Sequence, residues 1–330
     1  MDASKLFIND AGRLRSGLRL ILFILVYFVL LFLISTIVRV VYVGGIYFLP
    51  NLKAGFYIED LAYRLIILGT SLGAGYFCAR LIEGLPWRSL GLSFHTRWFQ
   101  HLLVGTGIGI ASLALATAIA TAGGGLRFTF SNVELFPLVA RTLVFSGVVF
   151  VVAALAEEAL FRGYPLQTLT RAQLAVLGVL LTSVPFAAIH LQNPNVAKGF
   201  TFVNTALAGV WLAVAYLRTR SLWFPLGVHW SWNWALGSLF GLPVSGITRL
   251  APNPLLQATD LGPAWLTGGS YGIEGGLACT VALVISTIFI WRTRLVSPQQ
   301  DLKLLTSQEN PAKSAFVVPI VPQTHDEVTE

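Results

Sequence analysis

The sequence predicts an all-α membrane protein that crosses the bilayer about eight times. Of its 330 residues, 55% are hydrophobic and only 11% are charged, whereas a soluble domain carries about a quarter charged residues. The apolar residues form long runs, and about 20 such residues cross a hydrocarbon core roughly 30 Å thick. Because backbone groups in lipid must form hydrogen bonds within their own segment, runs of this length are expected to be helices.

The predicted spans together form a transmembrane bundle over residues 18–291. The first span follows several basic residues, as in a signal peptide, but it is longer than the apolar region of about 7–15 residues in such a peptide. It is therefore expected to remain as an uncleaved helix. The eight predicted spans are residues 18–43, 60–82, 101–122, 138–168, 174–191, 200–217, 221–240 and 273–291.

The basic residues between the spans fall unevenly on the two sides of the membrane. Cytoplasmic loops carry the excess of Lys and Arg in membrane proteins. The larger group is therefore assigned to the cytoplasm together with both termini, in a multi-pass protein of the cell membrane. The larger group is Lys5, Arg13, Arg15, Arg19, Arg80, Arg88, Arg97, Arg162, Arg171, Arg218, Arg220, Arg292, Arg294, Lys303 and Lys313, and the smaller group is Lys53, Arg127, Arg141, Lys198 and Arg249.

The segments outside the bundle are short and polar. Residues 1–17 are predicted to be a cytoplasmic segment, and residues 292–330 a mobile cytoplasmic tail. The net charge of +7 does not indicate a nucleic-acid partner, because the basic residues form no stripe or aromatic-interleaved patch. The expected partner is membrane lipid. Cys78 and Cys279 lie in apolar runs and are expected to pack against helices or lipid.

Three other patterns concern helix packing and contacts with the membrane. Gly105 and Gly109 form a small-xxx-small pattern in the third span, which is typical of a close helix contact. Arg39 and Arg64 are isolated in the first two spans and are expected to reach the interface or to pair.

Five tryptophans crowd the sixth and seventh spans, where interfacial anchoring is the commonest role and a lipid-like groove is the alternative. They are Trp211, Trp223, Trp230, Trp232 and Trp234.

Polar residues concentrate in three of the predicted spans. An ionisable side chain at mid-membrane costs about 2.5–3.5 kcal/mol, so each one needs a partner or a function. In the fourth span, Glu158 and Arg162 are four residues apart and lie on one helix face, where they can pair. Glu157 is rotated by about 100° and faces elsewhere. Two adjacent acids beside one cation are expected when one acid is structural and the other is reactive.

Helix length places the polar groups of different spans at similar depths. The fourth and fifth spans form a predicted hairpin that turns near residues 171–173. Glu157 and His190 each lie about 24–26 Å along the helices from this turn, at 1.5 Å per residue. His229 and Asn233 lie one turn apart in the seventh span. We therefore expect the four side chains to converge inside the bundle, although a lone intramembrane His or Asn is more often an interhelical hydrogen-bonding group.

These residues resemble the motifs of the CAAX-protease and bacteriocin-processing family of intramembrane endopeptidases. The pattern of that family is Glu-Glu-x-x-x-Arg, then Phe-x-x-x-His, then His-x-x-x-Asn. The region that carries the motifs covers about residues 138–240, which is the expected catalytic core. The matching residues are Glu157, Glu158 and Arg162, then Phe186 and His190, then His229 and Asn233.

The resemblance implies a CAAX-protease-like helical bundle that hydrolyses a peptide bond near the cytoplasmic side of the membrane. It implies that Glu157 activates water with His190, and that His229 and Asn233 stabilise the oxyanion. The physical chemistry agrees, because donors fixed in a water-poor site act strongly on a developing negative charge. The implied substrate is a peptide or protein, which includes a lipid-modified one, and no cofactor is expected.

Three alternatives stay open from the sequence. In a zinc-dependent version of the protease, Glu157, His190 and His229 would be ligands and Glu158 the base, although the sequence has no His-Glu-x-x-His motif. A non-catalytic membrane scaffold or immunity-type protein would keep the same fold. A proton-coupled transporter would use the same residues as a relay, but the sequence shows no internal repeat.

Overall fold

The structure is a bundle of helices that pack along one another. The computed structural model describes residues 7–48, 55–196 and 199–307. Lys5, Lys53, Lys198 and Lys313, which contribute to the charge distribution above, lie outside the described residues, as does the part of the predicted tail from residue 308 onward. The α-helices of the described part are α1 (Ser16–Phe48), α2 (Phe56–Phe77), α3 (Trp98–Ala122), α4 (Phe136–Glu158), α5 (Tyr164–Arg171), α6 (Ala175–His190), α7 (Phe200–Thr219), α8 (Trp223–Trp234), α9 (Ala264–Thr267), α10 (Leu277–Arg292) and α11 (Gln300–Ser307).

Each predicted span coincides with a helix, and the all-α polytopic membrane fold is confirmed. Helices α6 and α10 are apolar but have only 16 residues each. The seventh predicted span corresponds to α8, which has 12 residues and continues into a π-helical turn. Five described segments are long and apolar enough to cross a membrane, namely Ser16–Gly45, Tyr57–Ile82, Trp98–Ala122, Val133–Arg171 and Phe200–Thr219.

The fourth predicted span is two helices rather than one continuous helix. Helix α4 ends at Glu158, and the π-helical turn Ala159–Gly163 connects it to α5. Pro165 lies at the start of α5. A proline has no N–H for the regular hydrogen bond to the carbonyl four residues earlier, so the helix widens here. The widened turn comes directly after the two glutamates.

Helices α3 and α8 lie in close contact through glycines. A side-chain carbon on Gly105 would collide with the carbonyl of Phe224, and one on Gly109 would collide with that of Val228. Gly227 of α8 approaches the carbonyl of Leu102 in the same way. The close helix contact predicted from the Gly105–Gly109 pattern is therefore observed. It determines the position of α8, which carries His229 and Asn233.

Helices α5 and α6 form the predicted hairpin. Helix α5 ends at Arg171, Gln173 has a left-handed backbone conformation with φ 61°, and α6 begins at Ala175. On the far side of the turn, a side-chain carbon on Gly178 would lie within 3.1 Å of Leu169. The small residue lets the two helices run side by side, and this arrangement brings the end of α6 to the level of α4.

A short antiparallel ribbon joins two loops that were predicted to lie on the outer side. Strand β1 (Leu126–Phe130) pairs with β2 (Leu256–Asp260). The ribbon was not predicted, because each strand has only five residues and its partner is far away in the chain. It connects the loop after α3 with the loop before α9.

A buried charge cluster joins α1, α2 and α5 at one end of the bundle. Glu83 follows the π-helical turn Cys78–Ile82 that ends α2. Its carboxylate binds Arg19 of α1 at 2.8 Å and Arg171 of α5 at 2.7 Å. All three side chains are almost completely inaccessible. The two arginines therefore attach the otherwise exposed helix α1 to the remainder of the bundle.

The first part of the predicted tail packs against the bundle. Leu302 and Thr306 of α11 are buried. The carbonyl of Thr306 accepts a hydrogen bond from Arg220, and the carbonyl of Ser307 accepts one from Gln173. Mobility was expected from residue 292 onward, whereas the described segment up to residue 307 is ordered. Leu302 and Leu305 lie three residues apart on the packed side of α11, whereas Leu304 is exposed.

Candidate active site

The second glutamate of the pair, Glu158, is held by two basic groups inside the bundle. Its Oε1 atom accepts a hydrogen bond from Arg162 at 3.1 Å and another from Nδ1 of His229 at 2.9 Å. The side chains of Glu158 and Arg162 are inaccessible to solvent. Arg162 also donates to the carbonyl of Gly209 in α7. The predicted pairing of Glu158 with Arg162 is present, and the bond to His229 adds α8 to it.

The first glutamate, Glu157, points in a different direction. Its side chain is 24% exposed, and its Oε2 atom lies 3.7 Å from Nε2 of His229. Within the described part of the chain, that oxygen has no hydrogen-bond partner. The two adjacent carboxylates therefore contact opposite nitrogens of one imidazole. The helical rotation between neighbouring residues separates a bound acid from an available one, as the sequence predicted.

His190 lies at the end of α6 and is oriented by its own helix. Its Nδ1 atom is 2.6 Å from the carbonyl of Phe186. Because a carbonyl only accepts hydrogen bonds, Nδ1 carries the proton and Nε2 is free to accept one. The Phe186 ring packs against His190 with ring centres 4.7 Å apart, and it also lies 4.8 Å from the guanidinium of Arg162. Phe186 thus connects His190 to the buried ion pair.

The four predicted catalytic residues line one cavity of about 940 Å³ inside the bundle. Glu157 comes from α4, His190 from α6, and His229 and Asn233 from α8, and the fold brings these three helices together there. The Glu158 and Arg162 side chains do not line it, which fits their buried position. Residues of α1, α2 and α7 complete the walls, which are mostly apolar. Such a cavity can hold an extended peptide segment beside a carboxylate and two imidazoles.

The zinc alternative requires Glu157, His190 and His229 to converge as ligands of one ion. No group of three His, Cys, Asp or Glu residues in the described ranges is placed to hold a metal. The ligands of the zinc alternative, Glu157, His190 and His229, do not form such a group, and Nδ1 of His229 is occupied by Glu158.

The sequence did not predict two further acids of the cavity wall. Glu274 precedes α10 and accepts hydrogen bonds from Trp232 and Ser245. Asp60 of α2 forms an ion pair at 2.6 Å with Arg64, which the sequence predicted to snorkel or pair. An i, i+4 acid–base spacing in an apolar helix was a usable signal for Asp60. Glu274 lies in a glycine-rich loop, and the loop contains no spacing that indicates its position.

Two of the five tryptophans of α7 and α8 are buried, and the other three are half-buried. Trp211 and Trp232 are buried in the core, and their rings lie 5.5 Å apart. Both line the cavity, as the alternative of a groove predicted. Each of the five indole N–H groups donates to a protein acceptor, and these acceptors are Ser286, Ser93, Gly147, Glu274 and Leu143. The two free cysteines, Cys78 and Cys279, are buried packing residues as expected.

The fold is that of a polytopic membrane protein, and a carboxylate–imidazole site lines a cavity between its helices. Residues 139–235, which are under a third of the chain, match the family described as type II CAAX prenyl endopeptidase Rce1-like. The matched segment contains all seven motif residues, from Glu157 to Asn233. Comparisons with curated proteins and with solved structures gave no match. The matched family is one of peptidases, and the match covers the part of the chain that carries this site.

Proposed function

We propose that this protein is an intramembrane endopeptidase in which Glu157 is the general base. The observation that carries the proposal is the position of the Glu157 carboxylate, which lines the cavity and lies 3.7 Å from His229. Its neighbour Glu158 is bound to Arg162 and lies behind the cavity wall. Glu157 is therefore the acid that water and a peptide can reach. The CAAX-protease match supports hydrolysis of a peptide bond.

In the proposed reaction, Glu157 removes a proton from a water molecule while the water oxygen attacks the scissile carbonyl carbon. His190 presents the unprotonated Nε2 atom to the same water, because its Nδ1 proton is donated to Phe186. The proton on Glu157 then passes to the leaving nitrogen as the C–N bond breaks. The products are a carboxylate and an amine, so the balance requires only water.

His229 and Asn233 stabilise the oxyanion that forms during the attack. Glu158 accepts hydrogen bonds from both Arg162 and Nδ1 of His229, so Nδ1 carries a proton. Donation from Nε2 to the oxyanion needs a second proton, and His229 therefore acts as an imidazolium. In this form the two glutamates, Arg162 and His229 have no net charge, which reduces the cost of burying them. The amide of Asn233 is the second donor.

The substrate of the proposed enzyme is a peptide or protein segment that enters from the bilayer. Phe23, Ile24 and Leu31 of α1 give the cavity an apolar wall, which suits a lipid-modified segment. We propose that both termini lie in the cytoplasm, because the basic residues are concentrated on that side of the membrane. Cleavage is then expected in the cytoplasmic half of the bilayer. Reporter domains fused to each terminus test this orientation, since both should report a cytoplasmic location.

The proposed reaction needs no metal ion. Glu158, the base of the zinc alternative, is inaccessible and already bound by Arg162 and His229. The purified protein is therefore expected to keep its activity in the presence of a chelator and to contain no stoichiometric zinc. Loss of activity with the chelator, followed by recovery with zinc, would support the metal-dependent alternative.

Alanine variants of the cavity residues test the proposal directly. Glu157→Ala, His190→Ala and His229→Ala should each abolish peptide cleavage and still fold in detergent, and Asn233→Ala should lose about 10²–10³-fold as for one oxyanion donor. The measurement compares cleavage-product termini in membranes that contain wild-type or variant protein. Glu134→Ala is the control, because Glu134 is exposed outside the cavity.

The possible outcomes separate the functions. Full activity in the Glu157, His190 and His229 variants on a cleaved substrate would show that the site is misassigned. If wild-type membranes yield no product termini beyond those of Glu157→Ala, the protein is the non-catalytic scaffold instead.

A further inference from the structure

A second carboxylate, that of Glu274, faces the cavity from the loop side. Glu274 lies in the short 3-10 helix Ile273–Gly275 just before α10, and it lines the same cavity as Glu157. Its Oε1 atom accepts the indole N–H of Trp232 at 3.0 Å. Its Oε2 atom accepts the backbone N–H of Ser245 at 2.6 Å and the hydroxyl of the same residue at 3.2 Å. These three bonds fix the carboxylate in one orientation.

Glu274 differs from Glu83, Asp60 and Glu158 in having no basic partner among the described residues. Glu83, Asp60 and Glu158 are each bound by an arginine. Among residues 7–48, 55–196 and 199–307, no Lys, Arg or His forms an ion pair with Glu274. A charge that faces a mostly apolar cavity costs free energy unless it is paired, so Glu274 is expected to have a function.

The carboxylate of Glu274 has capacity for one more donor. A carboxylate offers about four acceptor positions, and three are used by Trp232 and Ser245. The remaining position is on Oε1. The loop itself is held by Asn204, whose side-chain N–H groups donate to the carbonyls of Glu274 and Gly276 at 2.9 Å. The acceptor is thus fixed in place before a ligand arrives.

The charges of the cavity favour a positively charged group there. Glu274 faces the cavity with no ion-pair partner among the described residues, whereas Asp60 and Arg64 neutralise each other. The group around Glu157 has no net charge in the proposed reaction. Apolar walls strengthen the field of a carboxylate such as that of Glu274. We infer that Glu274 is a subsite for a basic side chain of the peptide substrate. This inference rests on the proposed function. It assigns the substrate a Lys or Arg near the scissile bond, because Glu274 binds Trp232, which lies about one helical turn beyond His229 in α8.

The test compares substrate preference rather than activity alone. Product termini that depend on Glu157 are first identified in membranes with the wild-type protein and with Glu157→Ala. A peptide that spans one such site is then synthesised with its basic residue present and with that residue replaced by glutamine. We expect wild-type protein to cleave the basic peptide with a kcat/KM at least about tenfold higher, and Glu274→Gln to remove this ratio. Glu274→Asp should restore part of it, and the exposed control Glu134→Gln should leave it unchanged.

Each result has a distinct meaning. Glutamine keeps the hydrogen-bond acceptor for Trp232 but loses the charge, and unfolding in detergent shows whether the variant is intact. If Glu274→Gln lowers the cleavage of both peptides equally, Glu274 only supports the fold and the inference is overturned. The same holds if Glu157-dependent sites show no basic residue. If no termini depend on Glu157, the proposed function itself fails, and the subsite fails with it.

Discussion

The buried pair Glu158–Arg162 determines which of the two adjacent glutamates is available in the cavity. Both side chains are inaccessible, and Arg162 contacts α6 through Phe186 and α7 through the Gly209 carbonyl. The arginine therefore neutralises one glutamate and leaves Glu157 available. The i, i+4 spacing predicted this pair because it depends only on helix geometry. The bond from His229 to Glu158 could not be predicted, because it depends on how α8 is rotated against α4.

Removal of the cation tests the structural role of this pair. Arg162→Met leaves Glu158 buried without compensation, and breaking a buried pair in this way costs about 3–5 kcal/mol. We expect a marked fall of the thermal unfolding temperature in detergent, together with loss of cleavage. Arg39→Met is the matched control, since Arg39 is exposed on α1. Equal unfolding temperatures for both variants would contradict a structural role of Arg162.

At the scale of elements, the contact between α3 and α8 determines where the proposed oxyanion donors, His229 and Asn233, lie. Gly105, Gly109 and Gly227 allow the two backbones to approach so closely that a methyl group at these positions would overlap a neighbouring carbonyl. The spacing of Gly105 and Gly109 predicted a close contact but not its partner. The partner helix could not be chosen from the sequence, because many helices in the bundle are equally apolar.

A pair of alanine substitutions on one helix tests this contact. In Gly109→Ala the new methyl group meets Ser231 and the carbonyl of Val228, so α8 must shift, and overpacking of this kind costs about 1–3 kcal/mol. In Gly107→Ala the methyl group has no atom within 4 Å. We expect Gly109→Ala to lower both the unfolding temperature and the cleavage rate, and Gly107→Ala to change neither. The idea fails if the two variants behave alike.

The elements also show where sequence reasoning ends. All eight apolar spans were predicted, because length and hydropathy are properties of a single segment. The π-helical turn Ala159–Gly163 and the pairing of Leu126–Phe130 with Leu256–Asp260 were not. Both depend on what surrounds them, namely the proline that follows the turn and a strand from another loop. For the same reason Glu274 was missed as a wall of the cavity.

At the scale of the whole molecule, the charge cluster around Glu83 holds three helices together. Burial alone would raise the pKa of Glu83, but Arg171 and Arg19 outweigh it and lower the pKa below the usual 4.5. A carboxyl group whose pKa is lowered in the folded state stabilises the protein fully above its unfolded pKa. That contribution is lost as the pH falls through the lower, folded value.

Acidification should therefore weaken the attachment of α1. We expect the unfolding temperature in detergent to fall as the pH is lowered below about 4.5. Glu83→Gln should be less stable at neutral pH, since Arg19 and Arg171 then lose their partner, and its further loss below pH 4.5 should be smaller. Parallel pH profiles for the two proteins would rule out Glu83 as the titrating group.

The brevity of α6 and α10 has a consequence for the surrounding lipid. With 16 residues each, these helices rise about 24 Å, some 6 Å less than a typical hydrocarbon core. Both pack against α7, so one flank of the molecule presents a hydrophobic mismatch that the bilayer relieves by thinning beside the cavity. Cleavage reconstituted in vesicles should be faster with acyl chains of about 14 carbons than with chains of about 20. Equal cleavage rates in the two lipids would show that the loops next to α6 and α10, rather than the lipids, compensate for the short helices.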